Sequence, residues 1–431
     1  MKLALKKFMA VVACAALFIA GAVYFRGESE KTYLESAKAV VYPKAYAFED
    51  DDTRITVGEE NPVDDNFIDA INDLSYKTGA LVLTDEGENI NYSPISLYYA
   101  LSIAASGAKG ETEAQLLDVL GIGDINELPA QSGNLYRLLY RDNEIGKLKI
   151  ANSIWLDDDM NGEAILFRDD FVKSLAENFY ASSHRVDFAS EETGKAMSEW
   201  ISSNTNGTLS PTIETNSDQI FTILNTVYFY DQWINRFNKN KTSKDVFYLS
   251  NGSKVKSDFM NQTFGSAEFA KGKGFTRAGL SLKNGGKMIF ILPDEDVSTY
   301  DLISSAGQMK EIFESGESFS GEVVWKIPKF SFSSKLSMTD VLKELGVKSA
   351  FTSEADFTGI TDHLIYITGI LQETRISIDE DGVEASAFTQ FDYAGSAMPQ
   401  GRADMILNRP FIYGITAQNG SLLFVGVCEK P

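Results

Sequence analysis

Apolar residues follow two different spacings along the chain. Between positions 67 and 83 they recur every three or four residues, with Phe67, Ile71 and Leu74 near one stripe, which predicts an amphipathic helix. Elsewhere they form short runs rich in Ile, Val, Phe and Tyr, bounded by polar or turn residues, which predict buried strands. These runs cover residues 149–156, 220–230 and 287–292.

Local signals predict further helices between these strands. Ser93 before Pro94 provides an N-cap and a first helical position, and we expect this helix to end near Gly107. Other helices are expected over 112–121, 171–179 and 192–203. Because helices and strands follow no regular strand–helix–strand repeat, the pattern predicts an α+β fold.

The chain divides into a short N-terminal part and one large domain. No Pro-rich or Gly-rich linker and no internal repeat interrupts it after about Asn66, so we expect a single domain over residues 64–431. Apolar residues make up 44% of the 431 positions, which is enough for an extensive core. Residues 26–63 are predicted to form a polar spacer, with an acidic cluster at 49–52.

Residues 1–25 carry the sequence signals that indicate where the protein is located. Three lysines among the first seven residues precede an unbroken apolar run over 8–25, a pattern typical of export. The small residues at 20–22 suit signal peptidase, whereas an uncut run is near the minimum length of a membrane anchor. Residues 11–14 also resemble a bacterial lipoprotein box, although the run continues past Cys14. We expect an extracellular or cell-surface protein that meets a membrane only through this segment.

Charge and residue content exclude several function classes. With 39 Lys and Arg against 61 Asp and Glu, the net charge of −22 repels phosphate backbones, so no nucleic-acid partner is expected. The two histidines, His184 and His363, are isolated from cysteine and from each other, which disfavours a metal site. No Gly-x-Ser-x-Gly motif is present, so the chain is not expected to be an enzyme or to hold a cofactor.

One segment near the C-terminus alternates like a β-strand, but the residues on either side of it are not those of a permanently paired strand. Alternate positions are apolar or nearly so: Val383, Ala385, Ala387, Thr389, Phe391 and Tyr393. Period-two alternation predicts one buried face. However, Gly382 opens the segment and further Gly and Pro residues follow it, so we expect it to be mobile first and buried later. An ordinary edge strand is the alternative.

Eight segments occur in order over residues 67–431. They are NINYSPIS from Asn89, GAKGETEAQLLDVLG from Gly107, WISSNTNGTLS from Trp200, NTVYFYDQW from Asn225, IPKFSFSSKLSMTDVLKELGV from Ile327, AFTSEADFTGI from Ala350, IDEDGVEASAFTQ from Ile378 and NRPFIYGITAQNGSLLFVG from Asn408. Together they resemble the serpin family of serine protease inhibitors, in an exported bacterial form.

The resemblance implies an α+β serpin fold with three β-sheets, about nine helices and an exposed reactive-centre loop that enters the central sheet as an extra strand. It implies an irreversible suicide inhibitor that acts as a monomer. The partner is then a target serine protease, which acylates itself on the loop and is carried away before deacylation. The alternative is a non-inhibitory serpin that acts as a chaperone or carrier.

The resemblance also implies two groups of site residues. The hinge of the loop would contain Glu380, Gly382, Val383, Glu384, Ala385, Ser386, Ala387 and Thr389. The residues at the opening of the central sheet would be Asn89, Ser93, Ser96, Asn225, Trp233 and Gln372. Gln372 stands where the family often has a histidine, so no pH dependence is expected from that position.

Counting the usual strand length from Gly382 places the cleaved bond between Ser396 and Ala397. Their small side chains suit shallow specificity pockets, which indicates elastase-like or subtilisin-like targets. Counting back from Pro410 points to Ala397 or Met398 instead.

Overall fold

The computed structural model describes residues 35–36, 39–84, 87–383 and 401–431. This part of the chain forms ten α-helices and three β-sheets of eight, nine and two strands. The predicted α+β class with three sheets is therefore confirmed. The helix count exceeds the expected number, about nine, by one.

The helices differ widely in length, and a π-helical turn at Leu175–Phe179 extends the sixth. They are α1 (Asp51–Glu60), α2 (Asp65–Val82), α3 (Pro94–Gly107), α4 (Gly110–Leu120), α5 (Leu128–Leu139), α6 (Asp169–Ser174), α7 (Glu191–Asn204), α8 (Thr299–Ile303), α9 (Ala306–Glu314) and α10 (Thr339–Glu344). Among the helices of the described ranges, none is both long and apolar enough to cross a membrane.

Nineteen strands lie in the described part of the chain. They are β1 (Glu35–Ser36), β2 (Ile90–Tyr92), β3 (Arg141–Asp142), β4 (Lys147–Asp157), β5 (Asp159–Met160), β6 (Glu163–Ala164), β7 (Ala181–Val186), β8 (Phe221–Gln232), β9 (Ser243–Tyr248), β10 (Lys254–Gly272), β11 (Phe275–Ser281), β12 (Lys287–Pro293), β13 (Glu317–Pro328), β14 (Phe330–Ser337), β15 (Ile367–Ile378), β16 (Gly382–Val383), β17 (Arg402–Ile406), β18 (Phe411–Thr416) and β19 (Leu422–Cys428).

The eight-stranded sheet has the order β1-β7-β4-β8-β16-β15-β14, with β3 paired to β4. The nine-stranded sheet has the order β17-β13-β10-β11-β12-β18-β19-β2, with β9 paired to β10. The third sheet is the hairpin of β5 and β6. Most neighbours in the two large sheets are distant in sequence, so long-range pairing holds the domain together.

Helix α3 lies between the two large sheets. All its residues except Ser106 are buried, and it packs against β8, β15 and β19. A helix that is apolar on every side is typical of a buried core element. Its first turn carries Ser96, with Ser93 just before it, and therefore lies directly beneath the eight-stranded sheet.

The described part of the predicted spacer is attached to the domain. It contains α1, and the ring of Tyr42 stacks on the rings of Tyr140 and Tyr180, with centroids 6.4 and 6.3 Å away. Asn134 Nδ2 also donates to the carbonyl oxygen of Pro62. The predicted export segment at 1–25 lies outside the described residues.

Candidate functional site

The middle of the eight-stranded sheet is only partly closed. The parallel strands β8 and β15 pair directly from Phe221 and Ile367 up to Thr226 and Glu373. Above that level, the described residues show no pairing between 227–230 of β8 and 374–377 of β15. We call this gap the slot. At its upper end, β16 pairs with both strands.

Each strand that borders the slot is paired with another strand on its opposite edge. Strand β4 pairs with β8 from Phe221 to Tyr230, and β14 pairs with β15 from Leu371 to Ile378. Strand β16 is antiparallel to both β8 and β15. A strand that continued from β16 would therefore be antiparallel to both walls and could pair with each.

Strand β16 is seated closely against β8. Gly382 lies opposite Gln232, and Val383 lies opposite both Asp231 and Ile378. Val383 is only 1% exposed. A Cβ on Gly382 would lie 2.2 Å from the carbonyl oxygen of Asp231. Glycine is therefore required for this close backbone approach.

A turn over 379–382 joins β15 to β16. The carboxylate of Asp379 accepts hydrogen bonds from the backbone N–H groups of Asp381 at 2.8 Å and Gly382 at 3.3 Å. The fully buried indole of Trp233 donates from Nε1 to the carbonyl oxygen of Asp379 at 2.9 Å. Trp233 thus fixes the point from which β16 enters the sheet, while its part in opening the sheet stays a prediction.

Glu380 ties the same turn to neighbouring elements. Its side chain is buried, and it accepts from Lys329 Nζ at 2.8 Å and from Thr242 Oγ1 at 2.7 Å. Burial alone would raise the pKa of this carboxyl group, but the two hydrogen bonds outweigh burial and hold the pKa below its ordinary value. Glu380 is therefore ionised and fully partnered at neutral pH.

A chain of buried polar side chains runs beneath the lower end of the slot. Ser96 Oγ donates to Asn225 Oδ1, and Asn225 Nδ2 donates to Asn152 Oδ1. Asn152 Nδ2 in turn donates to the carbonyl oxygen of Phe179 at 2.8 Å. The chain links α3, β8 and β4. Sequence analysis missed Asn152; its one signal was a polar amide inside the apolar run 149–156.

Gln372 and Ser93 form a second polar contact. Gln372 Oε1 accepts from the Ser93 N–H, and Gln372 Nε2 donates to the Ser93 carbonyl oxygen, both at 2.8 Å. The Ser93 hydroxyl donates to the carbonyl oxygen of Leu423 at 2.8 Å. The prediction that the Ser93 side chain caps α3 is therefore wrong: its hydroxyl faces β19 instead.

Asn89 does not lie at the slot. Its Oδ1 accepts from the backbone N–H groups of Glu429 and Lys430, which ties it to the end of β19. The nearby buried Asn91 is closer to β15, since Thr374 Oγ1 donates to its carbonyl oxygen at 2.8 Å. Asn89 directly precedes β2 and Asn91 lies within it, and the sequence alone does not show which of them is nearer the slot.

Glu384, Ala385, Ser386, Ala387 and Thr389 of the predicted hinge lie outside the described residues. The predicted bond between Ser396 and Ala397 also lies outside them.

Asp231 gives the site a pH dependence. Its carboxylate accepts from Asn284 Nδ2 at 3.0 Å and from the Gln232 N–H at 2.8 Å. Burial outweighs these bonds and raises its pKa from 3.8 to about 7. The folded protein therefore holds this proton more tightly than the unfolded chain. This contribution to stability is full below about pH 4 and is lost as pH rises through 7.

We expect Asp231→Asn to remove this pH-dependent loss of stability. The loss is on the order of 4 kcal/mol between the fully protonated and the fully ionised carboxyl group. Urea unfolding of both proteins at pH 5 and pH 8 measures it. The stability of the variant relative to the unmodified protein should rise between these pH values. Other titrating groups cancel in this difference. Parallel pH curves for the two proteins would contradict the assignment.

Comparison with known proteins bears on this arrangement. The family model described as serpin (serine protease inhibitor) matches residues 69–431. Serpin B11 of Mus musculus is 27% identical over 373 residues, which cover 80% of this chain and 94% of that protein. Serpin-ZX of Arabidopsis thaliana is 28% identical over 388 residues, which cover 84% of this chain and 97% of that protein.

A solved structure resembles the whole domain. The thermophilic serpin tengpin in its native state matches with a TM-score of 0.77 and 25% identity, covering 91% of this chain and 98% of tengpin. The two curated relatives come from a mammal and a plant. They do not support the expected bacterial source.

Proposed function

The chain belongs to the serpin family, and we propose that it is an irreversible suicide inhibitor of serine proteases with elastase-like or subtilisin-like specificity. It is not itself an enzyme. The protease cleaves the loop between Ser396 and Ala397 and remains attached as an acyl-enzyme. Insertion of the freed segment into the slot then carries the protease away before deacylation.

The observation that supports this proposal most is the register of β16. Continued from the pair of Val383 and Asp231, the register places each inward loop residue opposite a β8 residue. The pairs are Ala385 with Phe229, Ala387 with Val227, Thr389 with Asn225, Phe391 with Ile223 and Tyr393 with Phe221. Because β8 begins at Phe221, the alternating segment ends where the strand that would hold it ends.

The chemistry of the pairs agrees with this register. Asn225 and Gln372, which now pair directly, are buried polar residues on the two strands that would flank the inserted segment. The inserted residue between them would be Thr389, the inward loop position with a small side chain that carries a hydroxyl group. A polar side chain would thus enter at the buried polar level, where it can find a hydrogen-bond partner.

We propose further that the protein acts outside the cell or at its surface. The lysines and the apolar run of residues 1–25 support export. The protein then meets a membrane only if that segment stays uncut, and it acts on its protease as a monomer.

The proposal is tested by incubating the purified protein with pancreatic elastase, subtilisin, trypsin and chymotrypsin. We expect elastase or subtilisin to form a complex that survives detergent denaturation, and trypsin to form none. Mass spectrometry should find a released fragment that begins at Ala397. A fragment beginning at Ala403 would overturn the bond assignment. Cleavage without any stable complex would favour the chaperone or carrier alternative.

A further inference from the structure

A cavity of about 430 Å³ lies behind the upper end of β8. It is bounded by α1, the end of α5, the first residues of β4 and the turn Thr416–Asn419 between β18 and β19. This volume is within the range of cavities that bind small molecules. The cavity is lined by Phe229 and Tyr230 of the β8 wall of the slot, and by Asp231, whose backbone pairs with Val383.

Most of the cavity wall is apolar. Leu139, Leu148 and Leu423 are buried side chains of three different elements that face it, and Phe229 and Ile55 complete the wall. Such a wall favours an aliphatic or aromatic body over a fully polar ligand.

The charged residues that line the cavity are mainly cationic: Arg54, Arg141 and Lys147 against Asp231. Arg141 is half-buried and donates to the carbonyl oxygens of Leu138 and Tyr140, both at 2.8 Å. Among the described residues no carboxylate lies within ion-pair distance of it. Burial, and to a smaller extent the positive charge of Arg54, lower the pKa of Arg141 below its ordinary value. Arg54 lines the same cavity but is already paired with Asp51 at 2.7 Å. Arg141 is therefore the guanidinium group that an anion in the cavity would stabilise.

Tyr46 adds an unused hydrogen-bond donor. The guanidinium of Arg141 lies over its ring, 5.5 Å from the centroid. The Tyr46 hydroxyl is buried and has no hydrogen-bond partner in the described part of the protein. Buried hydroxyl groups are normally satisfied, so this donor is available to a ligand in the cavity.

One acidic residue, Asp231, lies among the described lining residues. Its carboxylate is already bonded to Asn284 and to the Gln232 N–H. Burial raises its pKa to about 7, so part of the population is uncharged at neutral pH. Its repulsion of an anion is therefore limited.

We propose that this cavity binds a small amphiphilic anion, a carboxylate with a medium-length alkyl chain. The carboxylate accepts hydrogen bonds from Arg141 and the Tyr46 hydroxyl. The alkyl chain packs against the leucine side chains of the wall. Charge-assisted bonds to guanidinium groups supply the selectivity for an anion.

Binding would also act on the slot, a step that rests on the proposed inhibitory function. The ligand would contact β8 on one side and the turn between β18 and β19 on the other. Insertion requires β8 and β15 to separate, because they pair directly below the slot. A ligand that bridges β8 to the second sheet resists this separation, so we expect it to slow insertion.

Equilibrium dialysis of the purified protein with decanoate tests the site. We expect one saturable site, and binding of decanol at least about tenfold weaker because it lacks the charge. Arg141→Met should weaken decanoate binding by about tenfold or more, and the milder Tyr46→Phe by a smaller factor. The control Lys254→Met removes a positive charge on β10, outside the cavity, and should leave binding unchanged.

Equal binding of decanol and decanoate, or equal losses in Arg141→Met and Lys254→Met, would overturn the proposal. So would unchanged binding in Tyr46→Phe. A separate assay of stable-complex formation with subtilisin, with and without decanoate, measures the effect on insertion. If no complex forms even without decanoate, the inhibitory function fails while the dialysis result still decides the site. If decanoate binds but leaves complex formation unchanged, the coupling to insertion is wrong.

Discussion

Cleavage between Ser396 and Ala397 is expected to raise the midpoint of thermal unfolding by roughly 10 °C or more. Insertion would bury Phe391 and Tyr393, each worth about 1.5–3 kcal/mol, and each kcal/mol shifts the midpoint of a large domain by about 2–4 °C. The two walls of the slot also gain ladder hydrogen bonds. The intact protein would then be kinetically trapped above its most stable state.

Differential scanning calorimetry of intact protein and of cut protein, separated from any protease complex, measures this shift. Cut Asp231→Asn protein serves as a control, since that change lies outside the inserted segment and should retain the gain. Equal midpoints for intact and cut protein would place the chain with the non-inhibitory members of the family.

Helices and strands were predicted well where the residues that determine them are close together in the sequence. Helix α3 has the predicted bounds, because Pro94 starts it and its residues are apolar on every side. The strand expected over 220–230 is β8, at Phe221–Gln232. Both depend on spacing within a dozen residues, which a single sequence contains.

Contacts between distant segments could not be predicted in the same way. The Ser93 hydroxyl bonds to Leu423, which is 330 positions away, so its assignment as a helix cap failed. Asn152 joins Asn225 only because β4 and β8 are neighbours in this register. Neither strand carries a sequence signal that fixes which residue of the other lies opposite.

The site was predicted in outline. The alternation after Gly382 indicated a latent strand, but the register depends on the turn at 379–382 and on the close approach of Gly382 to Asp231. A charge introduced at Val383 would test insertion poorly. Val383 already lies beside Asp231, so a cation introduced there would meet a carboxylate rather than an apolar wall.

A charge introduced at Ala387, four residues after Val383, gives a sharper test of insertion. In the continued register Ala387 lies opposite Val227 and Thr374, which are both buried and face the core. Ala387→Glu would force a carboxylate into that position, at a cost of several kcal/mol without a partner. Since each 1.4 kcal/mol is a factor of ten, we expect insertion to slow by about 100-fold and the protein to become a substrate.

Ser386→Glu is the matched control, because it adds the same charge one residue earlier. Successive strand residues point to opposite faces, so this carboxylate would lie on the outer face beside the exposed Arg375. It should therefore leave inhibition nearly intact. The measurement is the fraction of subtilisin trapped in detergent-stable complex against the fraction of inhibitor cleaved. If both variants trap subtilisin equally well, or both fail equally, the alternation of faces continued from β16 is wrong, since it puts the two positions on opposite faces of the sheet.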